Sequence, residues 1–255
     1  MKTLQKLTLL LASTASMGSF AAEFSFDRPG TGFGTGITPV GRLAWEQSLP
    51  TASYHETVVD GAKARTVTLN GDMLLRTGLS PSLELQLGWD GPGWSKTSYQ
   101  GRHHEDHGLG DVSIGLKKAV DLDDPKLAMA VLAQAKIATG NDGFTEEKDI
   151  YTLGSSLEYQ YNDLLNTSMS MFYEVQDGKW AVTAVPTLSY QLTDKWSGFS
   201  EFVYRKQESN PYEYSLGSGV IYALNDRTQL DASIGFKLDG DDRQYNAGLG
   251  IAYLF

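Results

Sequence analysis

The carboxy-terminal stretch QYNAGLGIAYLF alternates without a fault, with Tyr245, Ala247, Leu249, Ile251, Tyr253 and Phe255 on every odd position. Successive side chains of a β-strand point to opposite faces, so a period of two marks a strand that is greasy on one side and bare on the other. The same period recurs along the chain. Leu83, Leu85, Leu87 and Trp89 share one parity, as do Val112, Ile114 and Leu116; Leu153, Leu157, Tyr159 and Tyr161; Trp180, Val182, Ala184, Leu188 and Tyr190; and Leu230, Ala232, Ile234 and Phe236. Counting every such segment predicts strands near 40–49, 64–78, 82–91, 109–120, 126–139, 150–161, 167–176, 179–192, 195–206, 213–224, 227–238 and 243–255. About twelve strands is an even number, as closed antiparallel transmembrane barrels of bacterial outer membranes require. The connections sort in the same sense. SPS, DLDDP, NDLL, TD and ND are short, whereas PTASYHETVVDGAK, GPGWSKTSYQGRHHEDHG and GNDGFTEEKD are long and polar. Short periplasmic turns and longer extracellular loops are the plan of such a barrel, which leaves Phe255 at the periplasmic rim.

A soluble β-sandwich also alternates polar with apolar residues, and aromatic placement separates the two. Trp89, Tyr151, Trp180, Tyr204, Tyr214, Phe236 and Tyr245 fall near outer strand ends. Tyr159, Tyr161, Tyr190, Trp196, Tyr222, Tyr253 and Phe255 fall near inner ends. Two girdles at membrane interfaces explain that distribution, and a sandwich does not. In hydrocarbon all backbone groups must pair within the sheet, so closure follows. Pro186 interrupts the eighth segment, where it removes a ladder donor, and a bulge is expected there.

Residues 1–21 read as a secretory signal: Lys2 and Lys6 flank a basic start, LTLLLA is apolar, and Ser19 and Ala21 set a cleavage site after Ala21. The apolar run is too short to span a bilayer, and no later segment approaches a spanning helix. The chain has no cysteine, which excludes a disulfide framework and thiol chemistry. A formal net charge of −10 argues against nucleic acid as a partner. Residues 22–39 are Gly-rich, too flexible for a helix, and suited to tuck into the bore as a partial plug or to lie along the periplasmic rim. Their GTGFGTG lacks the spacing of a dinucleotide fingerprint. The barrel proper is assigned to 40–255.

The segment FDRPGTGFGTGITPVGRLAWEQSLP, taken with GLGDVSIGLKK and the terminal Phe255, resembles the outer-membrane family named for the MetA pathway of phenol degradation, whose members are labelled transporters. The resemblance covers essentially the whole mature chain. It implies an outer-membrane barrel associated with movement of small, often hydrophobic or aromatic compounds, and it carries over no catalytic or binding residue. It also implies that the terminal aromatics, Tyr253 and Phe255, are the signal read by the barrel-assembly machinery.

If the apolar faces meet outer-membrane lipid, the opposite parity lines the lumen. It carries Arg42, Arg76, Lys117, Lys136, Arg205 and Lys237 against Glu46, Asp72, Glu84, Asp111, Glu158, Glu174, Glu201 and Asp231. About twelve strands enclose a narrow bore, so these side chains would set selectivity for a small-molecule solute passing down its gradient. The alternative is an internal ion-pair network in a closed structural or adhesion barrel that conducts nothing. His103, His104 and His107, within RHHEDH, are the metal-ligand candidates, with His103 and His107 meeting if a helical turn forms. An outer-membrane lipid hydrolase would need an activated serine. There is no G-x-S-x-G, and all four histidines, His55 included, fall in predicted loops. No enzyme activity, cofactor or energy coupling is expected.

Overall fold

The computed structural model describes residues 24–238, 240 and 242–255; the predicted signal, residues 1–21, lies outside them. The described residues hold a single 15-stranded antiparallel sheet and no helix. In chain order the strands are β1 (Leu43–Val59), β2 (Ala62–Asn70), β3 (Met73–Ser80), β4 (Leu83–Trp89), β5 (Pro92–Tyr99), β6 (Arg102–Leu109), β7 (Val112–Val120), β8 (Leu127–Ile137), β9 (Ile150–Asn162), β10 (Leu165–Gln176), β11 (Lys179–Gln191), β12 (Trp196–Gln207), β13 (Tyr212–Asn225), β14 (Thr228–Lys237) and β15 (Arg243–Leu254). Pairing of β15 with β1, from Ala44 opposite Leu254 to Glu56 opposite Arg243, closes the sheet on itself.

The closed barrel has 12 strands. The excess of elements arises because β2 runs on into β3, β4 into β5, and β6 into β7, each pair a single long strand broken at a short step. Backbone hydrogen bonds stitch the three steps together: Gly71 N–H to Pro92 O, Asp90 N–H to Asp111 O, and Gly110 N–H to Gly91 O, at 2.8–3.0 Å. Gly91 sits at φ 75°, and a Cβ there would collide with the Gly71 carbonyl. The step therefore needs glycine.

Beyond the steps the first four strands continue as a blade. The outer half of β1 pairs with β2, β2 with β5 and β5 with β6. The eight residues of β5 extend it by about 26 Å. This corrects the sequence reading, in which 50–63 and 91–108 were long loops. They are hairpins closed at Asp60-Gly61 (φ 49° and 76°) and Gln100-Gly101 (φ 48° and 77°). Positive φ at both central residues is the turn whose twist matches that of the flanking strands. Of the three predicted long loops, only the one between β8 and β9, residues 138–149, is an irregular segment.

The period-two stripes point outward. Leu87, Ile114, Leu116, Leu153, Ile234 and Leu249 are all exposed, as a lipid-facing wall requires. Aromatic side chains cluster at both ends of it. Tyr159 with Tyr161, Trp196 with Tyr222, and Tyr253 with Phe255 lie at the short-turn end, with ring centroids 4.7–4.8 Å apart. Tyr204 with Tyr212 and Tyr214, and Tyr54 with Tyr245, lie at the other.

Pro186 does not make the expected bulge. The β11–β12 register is the same on either side of it, from Ala184 opposite Tyr204 to Thr187 opposite Glu201, and pairing simply lapses between. Proline lacks the donor but its φ suits a strand, so the ladder loses a rung and keeps its register. A proline-associated register shift occurs instead in β1, between Ser48 and Thr51, around Leu49 and Pro50.

Candidate functional site in the barrel lumen

The inner face of the wall is cut back rather than filled. Gly78, Gly88, Gly115, Gly154, Gly217, Gly219, Gly235, Gly248 and Gly250 share the inward parity with Ala44, Ala130, Ala181, Ala252 and several serines. Into the space they leave run residues 24–38. A Cβ on Gly78 would meet the Thr38 carbonyl, one on Gly154 the Phe33 ring, and one on Gly250 the Arg28 guanidinium. The wall is small where the segment presses on it.

The segment is held chiefly by charge and hydrogen bonding. Glu46 accepts the backbone N–H groups of Asp27 and Arg28 at 3.2 and 2.8 Å. The Arg28 side chain reaches Asp72 at 3.0 Å and Asp231 at 3.4 Å. Asp27 faces Lys117 at 3.3 Å and Arg76 at 3.5 Å, accepts from the Gln86 amide at 3.4 Å, and accepts the Gly34 N–H at 2.9 Å, which folds the segment back on itself. Arg76 is wholly buried between Glu46 (2.9 Å) and Glu84 (2.8 Å), donates to the Ser25 carbonyl, and lies over the Phe24 ring. Glu84 in turn accepts the Thr38 N–H and hydroxyl, both at 2.6 Å. Thr31 donates its N–H and hydroxyl to Glu201. Phe33 is an apolar anchor, packed on Ala130, Leu132 and Phe172, and Ile37 is buried as well.

Of the side chains expected in the lumen, Glu46, Arg76, Glu84, Lys117, Glu201, Asp231 and Asp72 all meet this segment, as does Glu158 through the Thr35 hydroxyl at 3.2 Å. Glu174 and Arg205 pair with each other beside Thr183, farther toward the outer end. Lys136 pairs with Asp90, and Lys237 with Glu213. Two placements are corrected. Arg42 is exposed at the rim, where it donates to the Phe255 carbonyl at 3.1 Å, because β1 begins only at Leu43. Asp111 gathers the 138–149 loop instead of facing a bore: its carboxylate accepts from the N–H groups of Thr139, Gly140 and Glu146 and the Thr145 hydroxyl at 2.7–2.9 Å.

Asp27 and Arg28 were read from sequence only as part of a flexible lead-in. The signal that could have found them is a charge pair beside an otherwise Gly- and Thr-rich stretch. The histidines differ from expectation because RHHEDH is strand β6. His103 and His107 lie four residues apart on one face, a separation of about 13 Å, and His104 points to the other face. Among the described residues no three His, Cys, Asp or Glu side chains converge to hold a metal ion. His104 contacts Asp106 at 3.0 Å, and His103 bonds the Ser98 hydroxyl at 2.9 Å.

A family profile described as "Putative MetA-pathway of phenol degradation" matches residues 26–255. Comparison with curated proteins finds no match. Among solved structures, the chain is similar to the COG4313 outer membrane channel from Pseudomonas putida F1, with a TM-score of 0.62, 10% identity, and coverage of 86% of this chain and 97% of that one. The translocator domain of the autotransporter NalP from Neisseria meningitidis gives a TM-score of 0.59 at 12% identity over 89% and 90%. A TodX deltaS2S3 mutant, a monoaromatic hydrocarbon channel, gives 0.53 at 9% identity over 85% and 91%. At these identities the likeness is one of fold, and that fold is an outer-membrane barrel.

Proposed function

Because the chain belongs to the MetA-pathway phenol-degradation family, we propose that it is an outer-membrane channel for passive passage of a small compound, held shut by residues 24–38. The observation that carries this reading is the cut-back wall. A barrel of about eight strands is filled by its own side chains, whereas here, between the inward charged residues, the wall is cut back to glycine, alanine and serine, and a separate segment occupies the bore. That segment is joined to the wall only at the start of β1. Its contacts are mostly ion pairs and hydrogen bonds, which water can replace when it leaves. A hydrophobic or aromatic compound is the solute class that the family description and the hydrocarbon-channel neighbour favour. The non-enzyme reading is supported by the partners of the lumen-facing serines: Ser170 donates to the Ser156 hydroxyl and accepts the Phe33 N–H, and neither serine pairs with a histidine among the described residues. The exposed Phe255 ring and the Phe255 N–H to Leu43 O bond fit the terminal strand as the element that the assembly machinery reads and closes on β1.

The test is conductance in planar bilayers of the full chain and of a chain lacking residues 24–38, each checked for heat-modifiable gel migration. The shortened barrel is expected to conduct at least tenfold more than the full chain. A folded shortened barrel that passes neither ions nor small solutes would favour the closed structural or adhesion barrel.

A further inference from the structure

Behind the segment lies a chamber of about 760 Å³, bounded by residues 24–35 and by the inner faces of β8 to β12 at the short-turn end. Its floor is hydroxyl-rich, with Ser168, Thr187, Ser189 and Ser197, while Phe24, Phe26 and Phe199 supply rings. Its charge is one-sided. Five carboxylates line it against two cations, Arg28 and Lys126, and Arg28 is already engaged by Asp72 and Asp231. Asp27 is matched by Lys117 and Arg76. Glu158 and Glu201 are not matched: each accepts hydrogen bonds from a threonine of the segment, Thr35 or Thr31, and neither has a cationic partner among the described residues. Asp124, Asp163 and Lys126 sit at the turns of the mouth.

Two inward carboxylates without counterions, beside rings and hydroxyls, are complementary to a ligand with an apolar or aromatic body and a positively charged, N–H-donating head. We propose that this chamber is a binding site for amine-bearing solutes and excludes carboxylates, with Glu158 and Glu201 as the specificity-determining residues. When the amine binds, it takes over the hydrogen-bonding capacity that Thr31 and Thr35 now occupy, so ligand and segment compete for the same acceptors. The proposal rests on the channel reading for its biological meaning, while the binding it asserts stands apart from conduction.

Equilibrium dialysis of the full chain in nanodiscs against 2-phenylethylamine and phenylacetate, which share a ring and differ in the sign of their charge, tests it. The amine should bind about tenfold or more tightly than the carboxylate, the scale on which a one-signed cleft concentrates its counter-ion. Glu158→Gln with Glu201→Gln should remove the preference. Each single substitution should weaken it, which keeps the test decisive if the double variant fails to fold. Equal binding, a preference for phenylacetate, or an amine preference that survives both substitutions would overturn the proposal. Reversal potentials of the shortened barrel separate the two readings: amine preference without current contradicts the channel and supports the chamber, and current without amine preference does the reverse.

Discussion

Arg76 is the residue on which the lumen turns, since it is wholly buried and holds Glu46, Glu84 and the segment together. Removing one member of a buried ion cluster strands the others without a counter-charge, at a cost of about 3–5 kcal/mol. Arg76→Met is therefore expected to lower the unfolding free energy of the barrel by about 3–5 kcal/mol, seen as a lower denaturant midpoint at unchanged slope, and to act on stability before it acts on ion selectivity. Outside the membrane the balance is different. Glu56, on the blade, accepts from Lys63 at 2.7 Å and Arg65 at 2.9 Å, and these hydrogen bonds hold its carboxyl at about 2, against an ordinary 4.5. A depressed acid contributes stability that is present above its unfolded value and is lost as pH falls through the folded one. The β1–β2 pairing should thus be indifferent to pH above about 4.5 and loosen as pH falls toward 2. Carbon-13 titration of the Glu56 carboxyl should give a midpoint near 2 that moves upward in Lys63→Gln with Arg65→Gln; a midpoint near 4.5 in the unmodified chain would contradict the assignment.

At the scale of elements, the strands that face lipid were legible because one face is apolar and the other is not, and parity alone then assigns every inward residue of those strands. The blade was missed for the complementary reason. Both of its faces are wet, so apolar–polar alternation is absent around His55 and Thr57, and the period leaves no apolar trace. What remained readable was the Asp60-Gly61 dipeptide, the usual sequence of a two-residue hairpin. A valine at Gly61 must adopt a left-handed φ, which costs about 1–2 kcal/mol. Gly61→Val should accelerate amide exchange in β2 and leave β9 to β15 unchanged; a uniform change across the sheet would mean that the blade and barrel unfold as one unit. The lumen site was half legible. Its wall residues, Glu46, Arg76, Glu84 and Lys117, follow from parity, but Asp27 and Arg28 lie in a segment with no period, and the Arg28 partners Asp72 and Asp231 are 44 and 203 residues away. Nothing local in the sequence encodes contacts of that span.

For the whole molecule, an apolar outer wall, a closed ladder and a wall reduced to glycine, alanine and serine where residues 24–38 press on it lead to the proposal that this segment is a removable stopper in an open barrel. The chain has no cysteine, so a single introduced pair can report on it. A Cβ built on Gly32 would lie 3.3 Å from that of Ser170, close to the spacing a disulfide bridges. The measurement is single-channel current of the Gly32→Cys with Ser170→Cys protein, oxidised and then reduced in the same bilayer. Low current when oxidised, rising at least severalfold on reduction and returning on reoxidation, is the predicted result. A bridge that forms and leaves the current unchanged would contradict the account.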